Sequence, residues 1–90
     1  MTSAVTVRYF AAARAAVLRD EEALELPVSL TLTELLEVLS ARHKTLRPVL
    51  PACSYLVNGR SVSASAVSSG QTPMIGSGDT VDVLPPFAGG

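Results

Sequence analysis

Tryptophan is missing from the chain, cysteine and histidine occur once each, and no apolar run approaches the roughly 20 residues that cross a bilayer. Cys53 has no second cysteine with which to close an internal disulfide, and His43 alone cannot assemble a transition-metal cage. These absences predict an unstapled domain of the cytoplasm, without metal and without a membrane. Charge is also scarce. Only 17% of residues are Asp, Glu, Lys or Arg, against a usual share of about 25%, and seven basic residues face eight acidic ones. Such a balance provides no concentrated positive surface for a phosphate backbone. The aromatics Tyr9, Phe10, Tyr55 and Phe87 are too scattered to stack bases. The composition therefore argues against nucleic acid as a partner. Catalytic motifs are absent too: no G-x-S-x-G elbow surrounds Ser68, Ser69 or Ser77, and Gly76-Ser77-Gly78 lacks the lysine of a phosphate-binding loop.

What is present is a folded core of modest size. Hydrophobic residues make up 48% of 90 residues, enough for one domain and too little for two. Arg8, Arg14 and Arg19, with no acid among the first nineteen residues, have the composition of a transit peptide. The alternation of Val5, Val7 and Tyr9 predicts instead a half-buried strand over Ala4 to Phe10, with Thr6, Arg8 and Phe10 on its other face. Ala-rich residues 11 to 18 suit a short helix, followed by a charged turn from Arg19 to Glu22. Leu24, Leu26 and Val28 predict a second strand, and Pro27 within it calls for an edge position. Thr31 and Glu34 form a capping box, and Leu32, Leu35, Leu36 and Leu39 make one apolar helical stripe. Pro48 and Pro51 bar its continuation. A strand over Ser54 to Asn58, an Asn58-Gly59 turn, and a return strand over Arg60 to Ala66 follow. The uncharged, Ser- and Gly-rich stretch to Gly78 reads as mostly loop. Thr80 to Leu84 predicts a last strand with Val81 and Val83 inward and Asp82 and Leu84 outward. This order predicts an α+β fold, a small mixed sheet packed on one main helix.

The titratable residues carry little chemistry on this reading. Cys53 has no nearby cation or clear helix N-terminus to activate it and reads as a structural cysteine. His43 reads as a partner of the helix dipole, and Asp20, Glu21 and Glu22 read as a solvated turn. The end of the sequence is more informative. Pro85-Pro86 stiffens the exit from the last strand, so that residues 1–84 are expected as the domain and residues 85–90 as an extended tail. Gly89 and Gly90 have no Cβ and can pass a channel that admits no other residue. A terminal carboxylate is a poor electrophile until another enzyme converts it to an activated acyl derivative. A domain without catalytic residues but with this terminus reads as a carrier. If the first and last strands are neighbours, Phe10, Leu84 and Phe87 form an exposed apolar patch beside the tail, the usual mark of a partner surface.

The segment from Val7 to Arg14, the capped helix at Thr31, the hairpin Tyr55 to Gly59 and the run from Gly78 to Gly90 together resemble the MoaD/ThiS family of ubiquitin-like sulfur carriers, over nearly the whole chain. The resemblance implies a β-grasp fold. It also implies that Gly90 is adenylated by an E1-like enzyme of the MoeB type, which consumes ATP and magnesium, and then becomes a thiocarboxylate. No cofactor would be held by the chain itself. The short helix after the first strand and the Pro85-Pro86 pair are most like MoaD, the small subunit of molybdopterin synthase. In that branch the tail enters a MoaE-like large subunit and supplies the dithiolene sulfurs of molybdopterin, with Gly89 threading the channel. Partner contacts are expected at Phe10, Leu84, Pro85, Pro86, Phe87 and Ala88. Thiamine or cysteine synthesis, a ubiquitin-like modifier joined to lysines of other proteins, and a plain interaction module remain as alternatives.

Overall fold

The computed structural model describes residues 3–26 and 29–86. Its elements are β1 (Ser3–Tyr9), α1 (Ala11–Val17), β2 (Glu21–Leu26), β3 (Leu30–Thr31), α2 (Leu32–Arg42), β4 (Ser54–Val57), β5 (Arg60–Val62), α3 (Ala64–Ser68), β6 (Met74–Ile75) and β7 (Thr80–Leu84), with two 3-10 turns at Lys44–Leu46 and Leu50–Ala52. Five strands form one sheet in the order β2-β1-β7-β4-β5, and β3 pairs with β6 separately. β7 lies parallel to β1 and antiparallel to β4, which puts the last strand in the middle of the sheet. This is the expected α+β, β-grasp arrangement. No helix among the described residues is long and apolar enough to cross a membrane.

The period-two pattern of β1 holds: Val5, Val7 and Tyr9 are buried. They join Val81, Val83, Tyr55 and Val57 from the central strands and Leu32, Leu35, Leu36 and Leu39 from α2 in one hydrophobic cluster. α2 begins as its sequence dictates, with the Thr31 hydroxyl accepting from the Glu34 N–H at 3.1 Å and the Glu34 carboxylate accepting from the Thr31 N–H at 2.8 Å. The Asn58-Gly59 turn takes left-handed φ angles of 51° and 83°, the conformation its residues favour. The Asn58 side chain then ties the turn to the start of β7, donating to Asp79 and accepting from the Thr80 N–H. β2 is an edge strand, as Pro27 demands, although Pro27 and Val28 themselves lie outside the described residues.

Two expectations are corrected. The return strand β5 stops at Val62, because the Ser63 hydroxyl accepts from the Ala66 N–H at 3.1 Å and turns the chain into α3. The Ser-rich stretch is accordingly not mostly loop. It carries part of β5, then α3, then β6, and it is fastened to the start of α2 by the Leu32 N–H donating to the Pro73 carbonyl and by a Thr33–Thr72 hydroxyl pair.

Candidate functional site: the tail root and the outer sheet face

β1 and β7 are neighbours, with Tyr9 across from Val83. Phe10 and Leu84 therefore come to the same end of the sheet, next to Ser54, the register partner of Leu84. Together with Ala11, Ala52, Pro85 and Pro86 they line a cleft of about 340 Å³ that contains no charged residue. Phe10 is 38% exposed and Leu84 is half-buried. Pro85 is buried and Pro86 is exposed, so the first proline still belongs to the domain and the second begins its surface. The β1–α1 junction bends at Ala11, whose φ of 50° is left-handed in a residue with a Cβ. Phe87, Ala88, Gly89 and Gly90 lie outside the described residues. A larger groove of about 490 Å³, which includes Leu36, Leu50, Tyr55 and Val67, shares none of its lining with the tail root.

The outer face of the sheet extends from this cleft. Arg8 sits between Glu21 of β2 and Asp82 of β7, and Leu56 of β4 follows across Asp82. Asp82 does occupy the outward face, as its position in the alternation predicts, but it is only 5% exposed. The Arg8 guanidinium covers it, donating through Nε at 2.6 Å and Nη2 at 2.8 Å in a two-pronged pair. Those bonds and the Asp82 charge hold the Arg8 pKa above its ordinary value.

On the opposite face titratable residues form a cluster around Glu22, which was expected in a solvated turn. Glu22 is not part of a solvated turn. It is the second residue of β2, and in that strand Glu22, Leu24 and Leu26 all point inward. Its carboxylate accepts from the Tyr9 hydroxyl at 2.8 Å, meets His43 Nε2 at 2.9 Å and pairs with Arg19 at 3.1 Å; Arg42 lies at 3.8 Å. His43 thus caps α2 and also bonds to Glu22, beyond the dipole role expected of it. Burial pushes the Glu22 carboxyl up, but the hydrogen bonds from His43 and Tyr9, with the charges of His43 and Arg42, outweigh it and hold the pKa below the ordinary carboxylate value. Burial also pushes up the Tyr9 hydroxyl. The inward parity of Glu22 with Leu24 and Leu26 was the signal available in the sequence. Cys53 behaves as expected of a structural cysteine: it is fully buried, its thiol donates to the Val49 carbonyl, and burial pushes its pKa up to about 11, away from the reactive thiolate.

Comparison with known proteins shows what kind of domain this is. The chain matches the ThiS family over residues 7–90. It belongs to that family. The chain is a ThiS/MoaD-type ubiquitin-like sulfur carrier. A Pyrococcus furiosus structure named as a molybdopterin converting factor, subunit 1, is 30% identical, with a TM-score of 0.75 over 94% of this chain and 99% of that one. Two structures at lower identity show the shared fold. The small archaeal modifier protein 1 of Methanosarcina acetivorans is 21% identical, with a TM-score of 0.75 over 100% of this chain and 99% of that one. A chain from the complex of subunits 1 and 2 of the Helicobacter pylori molybdopterin-converting factor is 22% identical, with a TM-score of 0.66 over 97% of this chain and 99% of that one. No curated protein matches the sequence.

Proposed function

We propose that this carrier is the sulfur-donating small subunit of molybdopterin synthase, a cytoplasmic protein with no active site of its own. The observation that carries the reading is the uncharged cleft formed by Phe10, Leu84 and Pro85 where the Gly89-Gly90 tail leaves the domain. The 30% identity to the Pyrococcus furiosus subunit 1 supports the molybdopterin branch. The cleft suits a partner that must hold the domain while admitting its terminus. It presents apolar surface for docking, and among the residues that line it there is no charged or basic group to activate the Ser54 hydroxyl against an activated acyl.

The chemistry is that of an acyl group made reactive elsewhere. The Gly90 carboxylate attacks the α-phosphate of ATP in an E1-like enzyme of the MoeB type, releasing pyrophosphate and leaving an acyl adenylate. Hydrosulfide then adds to the acyl carbon and AMP leaves, so that the terminus is a thiocarboxylate; a persulfide donor would give an acyl disulfide instead, whose S–S bond a thiol must reduce, leaving the thiocarboxylate and a disulfide. Gly89 threads the channel of a MoaE-like large subunit, where the sulfur passes to the pterin precursor. Phe87 and Ala88 complete the contact begun by Phe10, Leu84, Pro85 and Pro86.

Intact mass spectrometry of the protein recovered after incubation with its activating enzyme, ATP and a sulfur source tests this reading. One terminal oxygen is expected to be exchanged for sulfur, and fragmentation is expected to place it on Gly90. Sulfur found on Cys53 would contradict the carrier chemistry. An isopeptide bond from Gly90 to lysines of other proteins, with no thiocarboxylate delivered to the large subunit, would establish the modifier function in its place.

A further inference from the structure

We propose that Arg8, held by Asp82, is a polar anchor of the docking face, and that the partner protein seated there presents a neutral carbonyl oxygen to its guanidinium. This inference rests on the reading that the tail end of the sheet binds the larger subunit.

The outer sheet face is continuous with the tail root. Phe10 and Leu84 occupy its end, and the next row inward runs Glu21, Arg8, Asp82, Leu56 and Ser61 across five strands. Phe10, Leu84 and Leu56 give this face apolar, partly exposed surface, set among the polar side chains of Glu21, Ser54 and Ser61. Arg8 is the cation among them, and its side chain remains 48% exposed although two of its donors are engaged by Asp82. Its guanidinium carries further N–H groups. Covering them with an apolar surface would strip their water and leave them unpaired, which is costly for a charged donor. A partner on this face therefore needs an acceptor at that point.

The surrounding charges select the kind of acceptor. Asp82 already neutralises Arg8, and Glu21 stands across from it on β2. A partner carboxylate would bring a third negative group to one cation, and a partner lysine or arginine would meet the guanidinium itself. A carbonyl oxygen satisfies the donors without either repulsion. Fixing the guanidinium against Asp82 before binding lowers the side-chain freedom lost on docking, and arginine anchored in this way is a frequent centre of binding energy.

The test compares binding of the large synthase subunit to the wild type, to Phe10→Asp, and to the double variant Arg8→Met with Asp82→Leu. The double variant removes both charges, so that no carboxylate is left buried alone and the fold survives. It is expected to melt close to the wild type and to bind about tenfold or more weakly. The loss is expected to be equal at low and high salt, because the lost acceptor is neutral. Arg8→Lys, which cannot grip Asp82 with two prongs and donate outward as well, is expected to lose binding similarly. Wild-type affinity in the double variant would overturn the anchor and reduce the pair to a structural role. A loss that shrinks as salt rises would overturn the neutral acceptor. Wild-type affinity in Phe10→Asp would overturn the docking face as a whole, a failure distinct from that of the anchor alone.

Discussion

On the inner side of β2, Tyr9, Arg19, Arg42 and His43 converge on the buried carboxylate of Glu22. At the far end of β7, Phe10, Ala52, Leu84 and Pro85 line a cleft with no charge at all. The first region has the residue types of an acid–base site, yet its groups satisfy one another and fasten the edge strand β2 to β1 and to the end of α2. The second has no titratable group and leaves apolar surface open beside the tail. Reactive side chains here serve the fold, and the function is assigned to the inert end. That division suits the proposed carrier chemistry, in which the reactive acyl group is made by another enzyme.

The comparison breaks most readily at Glu22. Glu22→Ala strands a buried Tyr9 hydroxyl and leaves His43 without its partner, and is expected to cost about 2–4 kcal/mol of stability. For a domain of this size that lowers the melting temperature by roughly 10 °C or more. Sulfur loading at a temperature where the variant is still folded is expected to be unchanged. Thermal unfolding alongside the loading assay checks both, and loss of loading in folded protein would mean that the cluster takes part in function.

Acid sharpens the same contrast with a smaller effect. The folded pKa of Glu22 is depressed below its ordinary 4.5, so the stability it contributes is complete above that value and is lost as pH falls through the lower folded pKa. Asp79, held down by hydrogen bonds from Asn58 and from the Gly76 N–H, acts in the same direction. Urea unfolding at a series of pH values is expected to show stability falling below about pH 4.5, with a shallower fall in Glu22→Gln. Equal slopes would remove Glu22 from the account of acid stability.

The sequence was most legible where a periodic pattern and a local signal agreed. β1, α2 with its Thr31 cap and the Asn58-Gly59 turn each had both, and each formed where expected. The tail-root patch was legible because it needed only the parity of Phe10 and Leu84 and the neighbouring of β1 and β7. β3 and β6 were not legible, since two residues are too few to show a period and their pairing joins Leu30 to Ile75 across a long interval. α3 carried a usable signal in Ser63 followed by helix-tolerant residues, which the serine content obscured. Glu22 was misread because charge was taken to mean solvent, although it lies in a strand beside partners that offset its burial. Parity gave the outward face of Asp82 correctly, but Arg8, which covers it, comes from a distant part of the chain.

The most direct test of the division between fold and function is Gly89→Val, followed through thermal unfolding and through transfer of sulfur from a preloaded terminus to the large subunit. The account predicts a melting temperature equal to the wild type and a transfer rate lower by about 100-fold, because a β-branched residue stiffens and widens the chain where the acyl group must reach its target. Transfer at the wild-type rate would contradict the threading of a narrow channel and, with it, the assignment of function to this end of the molecule.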